Sequence, residues 1–356
     1  MTLTPLFPIV LIGLLHWLLP SFVPPTLPFG VRIPSDRAGA PVIAVWRRRY
    51  RYGTALVTIA VVAGTLVLHD RVWAGPVAVG AELLAGVVLY LVARRRITAV
   101  KTVEEWFGGR RQVVVADTSL RTDPEPYPWL WGIPAILLLA ATVITGIVEY
   151  PRMPARLGIH LGPGGRPDHY AAKSVSSAFA MVAAQIFMTA LLFAVARIAV
   201  RGRAQLDAED PQAAARHRRF VSATARALLV LAACMNVTSF LAALTVWNTI
   251  NGPAVVALAP LPGLAGVIVL LAVVLRTGQG GSRLRLGGPG NNAPHTVNRD
   301  DDRLYRWGLF YFNRDDPALF VPKRFGIGWT LNMARPLAWV MLAATVAAIA
   351  IGPLTH

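Results

Sequence analysis

His160, Asp168 and His169 fall within ten positions of one another in the stretch YPRMPARLGIHLGPGGRPDHYAAKS, Tyr150 to Ser174, with Glu149 just ahead of it. Imidazole and carboxylate together suit zinc or another transition metal, and a metal so held activates water for hydrolysis. The spacing, however, matches no standard zinc signature such as H-E-x-x-H. The same residues also read as a built turn. Pro154, Pro163 and Pro167, with Gly162, Gly164 and Gly165, fold the chain tightly enough to bring His160 toward Asp168. Asp168 would then accept backbone N–H groups, and His160 would pack near Tyr170. In that reading Tyr150, His160, Pro167, Asp168, Tyr170 and Lys173 form a surface for a peptide or envelope ligand. Lys173 is one of only three lysines; the 35 basic residues less these three leave 32 arginines. A lysine in such a chain offers a compact ammonium, suited to an ion pair with Asp168 or an external carboxylate.

The elements that must position these groups are apolar. Of 356 residues, 55% are hydrophobic and 15% charged, whereas a soluble chain is about a quarter charged. The apolar residues gather in runs of about twenty, the length of a membrane-crossing helix. Eight spans are expected, near Leu6–Phe22, Thr54–Leu68, Val72–Val92, Trp129–Val148, Val175–Ile198, Ala227–Trp247, Pro253–Leu275 and Leu337–Leu354. His69-Asp70-Arg71 would turn tightly between the second and third. The fold class is therefore all-α, a polytopic membrane helix bundle. The net charge of +17 comes from arginines at the ends of apolar runs, which is the pattern of loops facing the cytoplasm and not of a nucleic-acid interface. The basic loops are the first, third, fifth and seventh, so both termini are expected outside and the stretch Tyr150–Ser174 faces outward. Cys234 is the single cysteine and lies in an apolar run, which excludes a disulfide framework and a cysteine-rich metal site. No cleavable leader is recognisable, so the first run reads as a retained span.

Other polar segments carry weaker signals. The first loop contains Gly-x-Arg-x-Pro around Arg32, then the run WRRRYR (Trp46–Arg51), whose ordinary role is interfacial anchoring on anionic lipid. In the third loop an amphipathic helix precedes an extended segment around Val113–Ala116, and Glu104, Glu105, Asp117 and Asp123 would neutralise nearby arginines. Residues 276–302 are glycine- and asparagine-rich, as in a flexible linker; 303–336 are aromatic and proline-punctuated, as in an ordered segment. NRDD occurs twice, at Asn298–Asp301 and Asn313–Asp316, and reads as two turns, with a cation site at Asp315 and Asp316 as the alternative. Within the spans His16, Gln185, Arg226, Asn236 and Asn248 are the notable polar residues. Asn236, with Thr238 and Ser239, would join helices. No carboxylate is assigned to mid-span, which handicaps a transporter.

With these residues on the page, the outer stretch resembles the signature of a bacterial membrane family of unknown function. The matching positions are Tyr150, Pro151, Pro154, His160, Gly165, Pro167, Asp168, Tyr170, Lys173 and Ser174. The asparagine that often follows the histidine in that family is replaced here by LGPGG. The SdpI-type bacteriocin-immunity and signalling proteins carry the same module. Their second module is similar to FGVRIP…VWRRRYRYG, matched by Gly30, Arg32, Pro34, Trp46 and Gly53. Here it precedes the first module, and Tyr50 stands where histidine is usual. The tail GLFYFNRDDPALFVPKRFGIGWTLNMARP is similar to a small actinobacterial domain of unknown function. The resemblance implies a multi-span protein that sequesters a toxic peptide or a cytoplasmic regulator.

Three functions follow as expectations. The first is a non-enzymatic sensor, immunity or scaffold protein of the plasma membrane, with a bundle over 1–275 (signature loop 149–174), a linker over 276–302, a partner-binding aromatic segment over 303–336 and a last span over 337–356. Its ligand residues would be Arg32 and the outer-loop set. The second is a hydrolase using a divalent metal such as zinc at His160, Asp168 and His169. The third is a small-solute transporter.

Overall fold

The computed structural model describes residues 6–68, 71, 73–113, 119–161, 167–202, 206, 212–250, 252–284, 296–325 and 328–351. In chain order the helices are α1 (Leu6–Phe22), α2 (Pro41–Val67), α3 (Ala74–Val103), the single turn α4 (Ser119–Thr122), α5 (Ile133–Glu149), α6 (Val175–Arg201), α7 (Ala213–Val246), α8 (Pro253–Leu258), α9 (Leu261–Thr277) and α10 (Pro336–Ile351). The chain is mostly helical. Among the described residues, six stretches are long and apolar enough to cross a membrane: Pro41–Val67, Ala74–Val103, Trp129–Arg152, Val175–Arg201, Ala213–Val246 and Ala254–Gly281. The protein is thus a multi-pass membrane protein. The first and last expected spans form helices too, but α1 has 17 residues and α10 has 16, about 24–26 Å of rise against a hydrocarbon core of about 30 Å.

Two boundaries differ from the sequence expectation for a clear reason. Helix α2 starts at Pro41, so the run Trp46–Arg51 occupies its first turns instead of a loop. Proline at the first helical position is preset in φ and forfeits no internal hydrogen bond; α8 and α10 begin the same way. Arg94–Arg96 likewise continue α3. The apolar signal stops at these arginines while the backbone hydrogen bonds do not. At the turn after α2, the Arg71 N–H donates to the Leu68 carbonyl at 2.9 Å; His69 and Asp70 lie outside the described residues.

The all-α expectation also misses four two-stranded ribbons. β1 (Arg111–Val113) pairs in parallel with β4 (Thr296–Asn298). β2 (Arg156–Leu161) and β3 (Pro167–Ala172) form an antiparallel hairpin. β5 (Tyr305–Arg306) pairs with β6 (Phe310–Tyr311), and β7 (Phe320–Pro322) with β8 (Trp329–Leu331), both antiparallel. These strands are two to six residues long, too short for alternation to stand out in the sequence. Of the expected linker 276–302, residues 279–284 form a tight turn and 296–302 include β4; 285–295 lie outside the described residues. A strand forms at Arg111–Val113; beyond Val113 the expected extended segment Val113–Ala116 lies outside the described residues, as do 117 and 118.

The chain divides into two compact units. The first comprises Met1–Thr118, Gly202–His217 and Thr277–His356; the second comprises Ser119–Arg201 and Arg218–Arg276. In the first, α1, α2 and α3 pack together, and the core at the arginine-bearing ends of α2 and α3 contains Phe29, Val31, Ile43, Tyr50, Tyr90 and Ile97. In the second, Met153, Leu157, Val182 and Trp247 form one core and Val200, Leu228 and Leu229 another. Outward-facing residues such as Leu56, Ile59, Leu84, Leu137, Ile144 and Phe187 are exposed and apolar, as a helix surface solvated by lipid requires.

Candidate functional site

The outer stretch is built from its base upward. Helix α5 ends in a tight turn at Tyr150–Arg152. Lys173, at the end of β3, donates from Nζ to the carbonyl of Met153 at 3.1 Å and of Pro151 at 3.3 Å, with the ammonium 4.9 Å from the centre of the Tyr150 ring. These are the carbonyls a terminating helix leaves unpaired, and a cation is the group they favour. The expected Lys173–Asp168 ion pair is thus replaced by a cap on the turn. Ser174 then starts α6. Its Oγ accepts from the Ser177 N–H at 3.1 Å, Ser177 Oγ accepts from the Ser174 N–H at 3.0 Å, and Ser177 Oγ lies 2.8 Å from the Ala172 carbonyl. This is a capping box with serine in both roles. Tyr150, Pro151, Lys173 and Ser174 therefore clamp the two feet of the hairpin between α5 and α6.

Above the clamp, β2 and β3 pair with an irregular register that sets His160 opposite His169 and Gly158 opposite Tyr170. Gly158 is required there: a β-carbon would meet Pro167 Cβ at 2.7 Å. Pro167, Asp168, His169 and Tyr170 are all exposed. Asp168 Oδ1 is 3.2 Å from His169 Nδ1, and Arg156 lies over the Tyr170 ring at 5.7 Å. The His160 side chain and residues 162–166, and with them the expected approach of His160 to Asp168 and Tyr170, lie outside the described residues. Among the described residues, no three His, Cys, Asp or Glu side chains gather as metal ligands.

Arg32 belongs to a different place, in the first unit. It is buried, its Nε lies 3.7 Å from Asp301 Oδ1, and its backbone N–H donates to Asp302 Oδ1 at 2.9 Å. Lys101 of α3 bridges Asp300 at 2.7 Å and Asp302 at 2.8 Å. Arg324, 1% exposed, pairs with Asp301 and lies 3.7 Å from Asp302. Burial alone would raise Asp301, but Arg324 and Arg32 hold its carboxyl below the ordinary carboxylate range. Burial would also lower Arg324, yet Asp301 and Asp302 outweigh it and keep the guanidinium firmly charged. Around this cluster Arg94 donates to the Gly30 carbonyl at 2.6 Å, Tyr50 and Phe29 meet edge-on at 5.3 Å, and Phe325 lies 4.3 Å from Tyr90. Gly30 has φ +68°, and a β-carbon there would sit 2.8 Å from the Tyr90 hydroxyl. Gly53 faces Leu89 of α3 at 3.0 Å in the same sense. Gly30 and Arg32 thus meet the carboxy-terminal segment, while Tyr50 packs on Phe29 and Gly53 lets α2 approach α3.

The two NRDD copies have different work. Asp301, in the first, faces Arg324 and Arg32. The second is a turn: Asn313 Oδ1 accepts from the Asp315 N–H at 3.0 Å, and Asp316 accepts from the Tyr311 hydroxyl at 2.9 Å and the Ala318 N–H at 3.0 Å. Asn332 and Arg335 donate to the Asp316 carbonyl and pin it. Burial, with the Asp316 carboxylate adding to it, pushes the Tyr311 phenol up to about 12.

Inside the second unit, Asn236 donates to the Ala135 carbonyl at 2.8 Å and Gln185 to Thr142 Oγ1 at 3.2 Å; the Thr189 hydroxyl lies 3.0 Å from Asn236 Oδ1. Thr238 Oγ1 accepts from the Gly263 N–H of α9 at 3.0 Å. This is the helix-joining role expected of Asn236 and Thr238. The first unit corrects another expectation. Glu82 lies within α3, inside an apolar stretch long enough to cross the membrane, and is 1% exposed. Its signal was present as the lone acid between Val72 and Val92. Lys101, Arg324 and the Asp300–Asp302 triad carry no motif: a rare lysine and three consecutive acids in a basic chain mark complementary charge, but Lys101 and Asp302 are 201 positions apart.

Residues 136–186 match a domain of unknown function, DUF1648, and residues 314–339 match a family of unknown function, DUF5808. The first covers α5, the clamp, the hairpin and the start of α6; the second covers the pinned turn, Arg324 and the start of α10. No curated protein and no solved structure matches the chain. The two matched stretches cover well under half of the 356 residues, and they agree with an integral membrane protein carrying two domains of unknown function.

Proposed function

We propose that this is a non-enzymatic recognition protein of the plasma membrane, with the β2–β3 hairpin as its ligand-facing element outside and the carboxy-terminal segment as its partner-facing element inside. The observation that carries the reading is the division of labour in the hairpin: Tyr150, Lys173 and Ser174 clamp the feet, while Pro167–Tyr170 stand exposed above them. A two-stranded element held at its feet, with an exposed tyrosine and mixed polar groups, suits a peptide or envelope ligand, since preorganisation lowers the ordering cost of binding. Sidedness is supported by the arginine-rich odd-numbered connections. On the inner side Trp307, at φ +54° and 67% exposed, stands at the tip of the β5–β6 turn beside Phe310 as the partner-facing group. The SdpI-like resemblance adds peptide immunity as the finer form of this reading.

Photo-crosslinking in intact cells tests it. A photoreactive residue at Tyr170 should yield a discrete adduct with a peptide or envelope component, and one at Leu137 should yield lipid only. Lipid-only adducts at both positions would remove the hairpin from recognition. Elemental analysis addresses the hydrolase: stoichiometric zinc that is lost in His160→Ala would replace recognition by metal chemistry. Small-solute transport is a second reading, now favoured by buried Glu82 in α3. Uptake into vesicles that disappears in Glu82→Gln would establish it.

A further inference from the structure

Helices α1, α2 and α3 meet where two glycines make room for polar side chains. A β-carbon on Gly13 of α1 would strike Thr58 of α2 and sit 3.0 Å from Glu82 Oε1 of α3. A β-carbon on Gly86, one turn from Glu82 on the same face of α3, would strike the His16 ring. Small residues at such crossings let helices approach closely; here the space is filled by His16, Thr58 and Glu82. Thr58 Oγ1 lies 2.8 Å from Glu82 Oε1 and 2.9 Å from the Thr54 carbonyl. The second carboxyl oxygen, Oε2, is buried with no hydrogen-bond partner among the described residues, and so is His16 Nδ1. The His16 ring, packed against Gly86, is thus about one helical turn from the carboxylate.

A buried carboxylate with one oxygen unpaired in an apolar bundle is costly as the anion. A proton on Oε2 removes that charge, and no electron moves. We propose that Glu82 is a proton-binding site within the α1–α3 bundle, taking its proton on Oε2 from bulk water and returning it there, with the neighbouring His16 ring setting the midpoint. The elements packed on Glu82 bring no competing charge. His16 is the one titratable group of α1 and Glu82 the one in Ala74–Leu89 of α3, and the Gly53–Val67 part of α2 has none. The nearest others are Tyr90 and Arg94, two turns or more along α3, and Arg47–Arg51 with Tyr50 and Tyr52 at the far end of α2. There Arg51 bonds Ser21 Oγ at 2.7 Å and covers Trp17. The site depends on neither the hairpin reading nor on transport: protonation is read by spectroscopy and transport by flux, so each fails separately.

The test is infrared difference spectroscopy of the full chain in phosphatidylcholine vesicles, between acid and alkaline pH. The wild type should show the C=O stretch of a protonated buried carboxylic acid. That band should be lost in Glu82→Gln, and its midpoint should shift in His16→Asn. If Glu82→Gln fails to insert, the wild-type chain labelled with 13C-glutamate must show the isotope shift on the same band. A wild-type band that survives Glu82→Gln, shows no isotope shift, or keeps its midpoint in His16→Asn would overturn the proposal.

Discussion

At the base of the β2–β3 hairpin the cation Lys173 meets carbonyl groups and a ring at a half-exposed helix end. In the first unit Arg32, Lys101 and Arg324 meet carboxylates instead, and they do so out of solvent. The chemistry of the cations is similar and the consequences are not. A cation over a helix end can be removed and water will replace it, because the carbonyls remain accessible. A buried guanidinium taken from between two half-buried aspartates leaves uncompensated charge, and the surrounding structure must yield. Both signature-bearing segments therefore hold backbone together, but only the buried one is indispensable to its unit.

The comparison can be broken first at Arg324. Arg324→Ala should cost about 3–5 kcal/mol, the range for breaking a buried pair, read as earlier thermal unfolding and faster proteolysis of the segment after Thr296. The double variant Arg324→Met, Asp301→Leu should recover most of that loss, because it removes both charges. Acid gives the same test without mutation. Asp301 is held below its ordinary value of 3.8, so its pairing stabilises the unit above that pH and is lost as pH falls from there through the lowered value. Protease release of the segment should rise in that window, and Asp301→Asn should abolish the pH dependence. Next comes Gly308→Ala: φ is +73° and a β-carbon would strike Tyr90 and sit 2.5 Å from Arg94; a loss of about 1–3 kcal/mol is expected. Lys173→Met at the clamp should cost about 1 kcal/mol, since solvent screens and replaces it. Ser174→Ala, a lost helix cap, should cost about 1 kcal/mol or less, seen as increased amide exchange in the first turn of α6. Clamp losses as large as those at Arg324 would erase the distinction.

The helices were largely legible because an apolar run of about twenty residues has few alternatives, and the edges of α1, α5 and α6 follow their runs closely. Where arginines interrupt hydropathy, at Trp46–Arg51 and Arg94–Arg96, the helix continues unseen, because side-chain polarity does not report backbone bonding. The ribbons were hidden by their brevity. Lys173 stands out in the sequence for its rarity, but backbone carbonyl partners leave no mark in residue types. Arg32 was noticed with no partner, because Asp301 and Asp302 lie about 270 positions away and contacts at that range leave no pattern in a single chain. Glu82 is masked by its surroundings, because one acid barely lowers the average hydropathy of a long apolar run.

The proposed recognition role requires a hairpin that faces outward and an acidic cluster that faces the cytoplasm. In a Cys234→Ser background, a membrane-impermeant thiol reagent applied to intact cells should label Asp168→Cys fully, and should label Arg303→Cys only after the membrane is opened. Labelling of Arg303→Cys in intact cells, or protection of Asp168→Cys until lysis, would contradict the assignment of recognition to the exterior and docking to the interior.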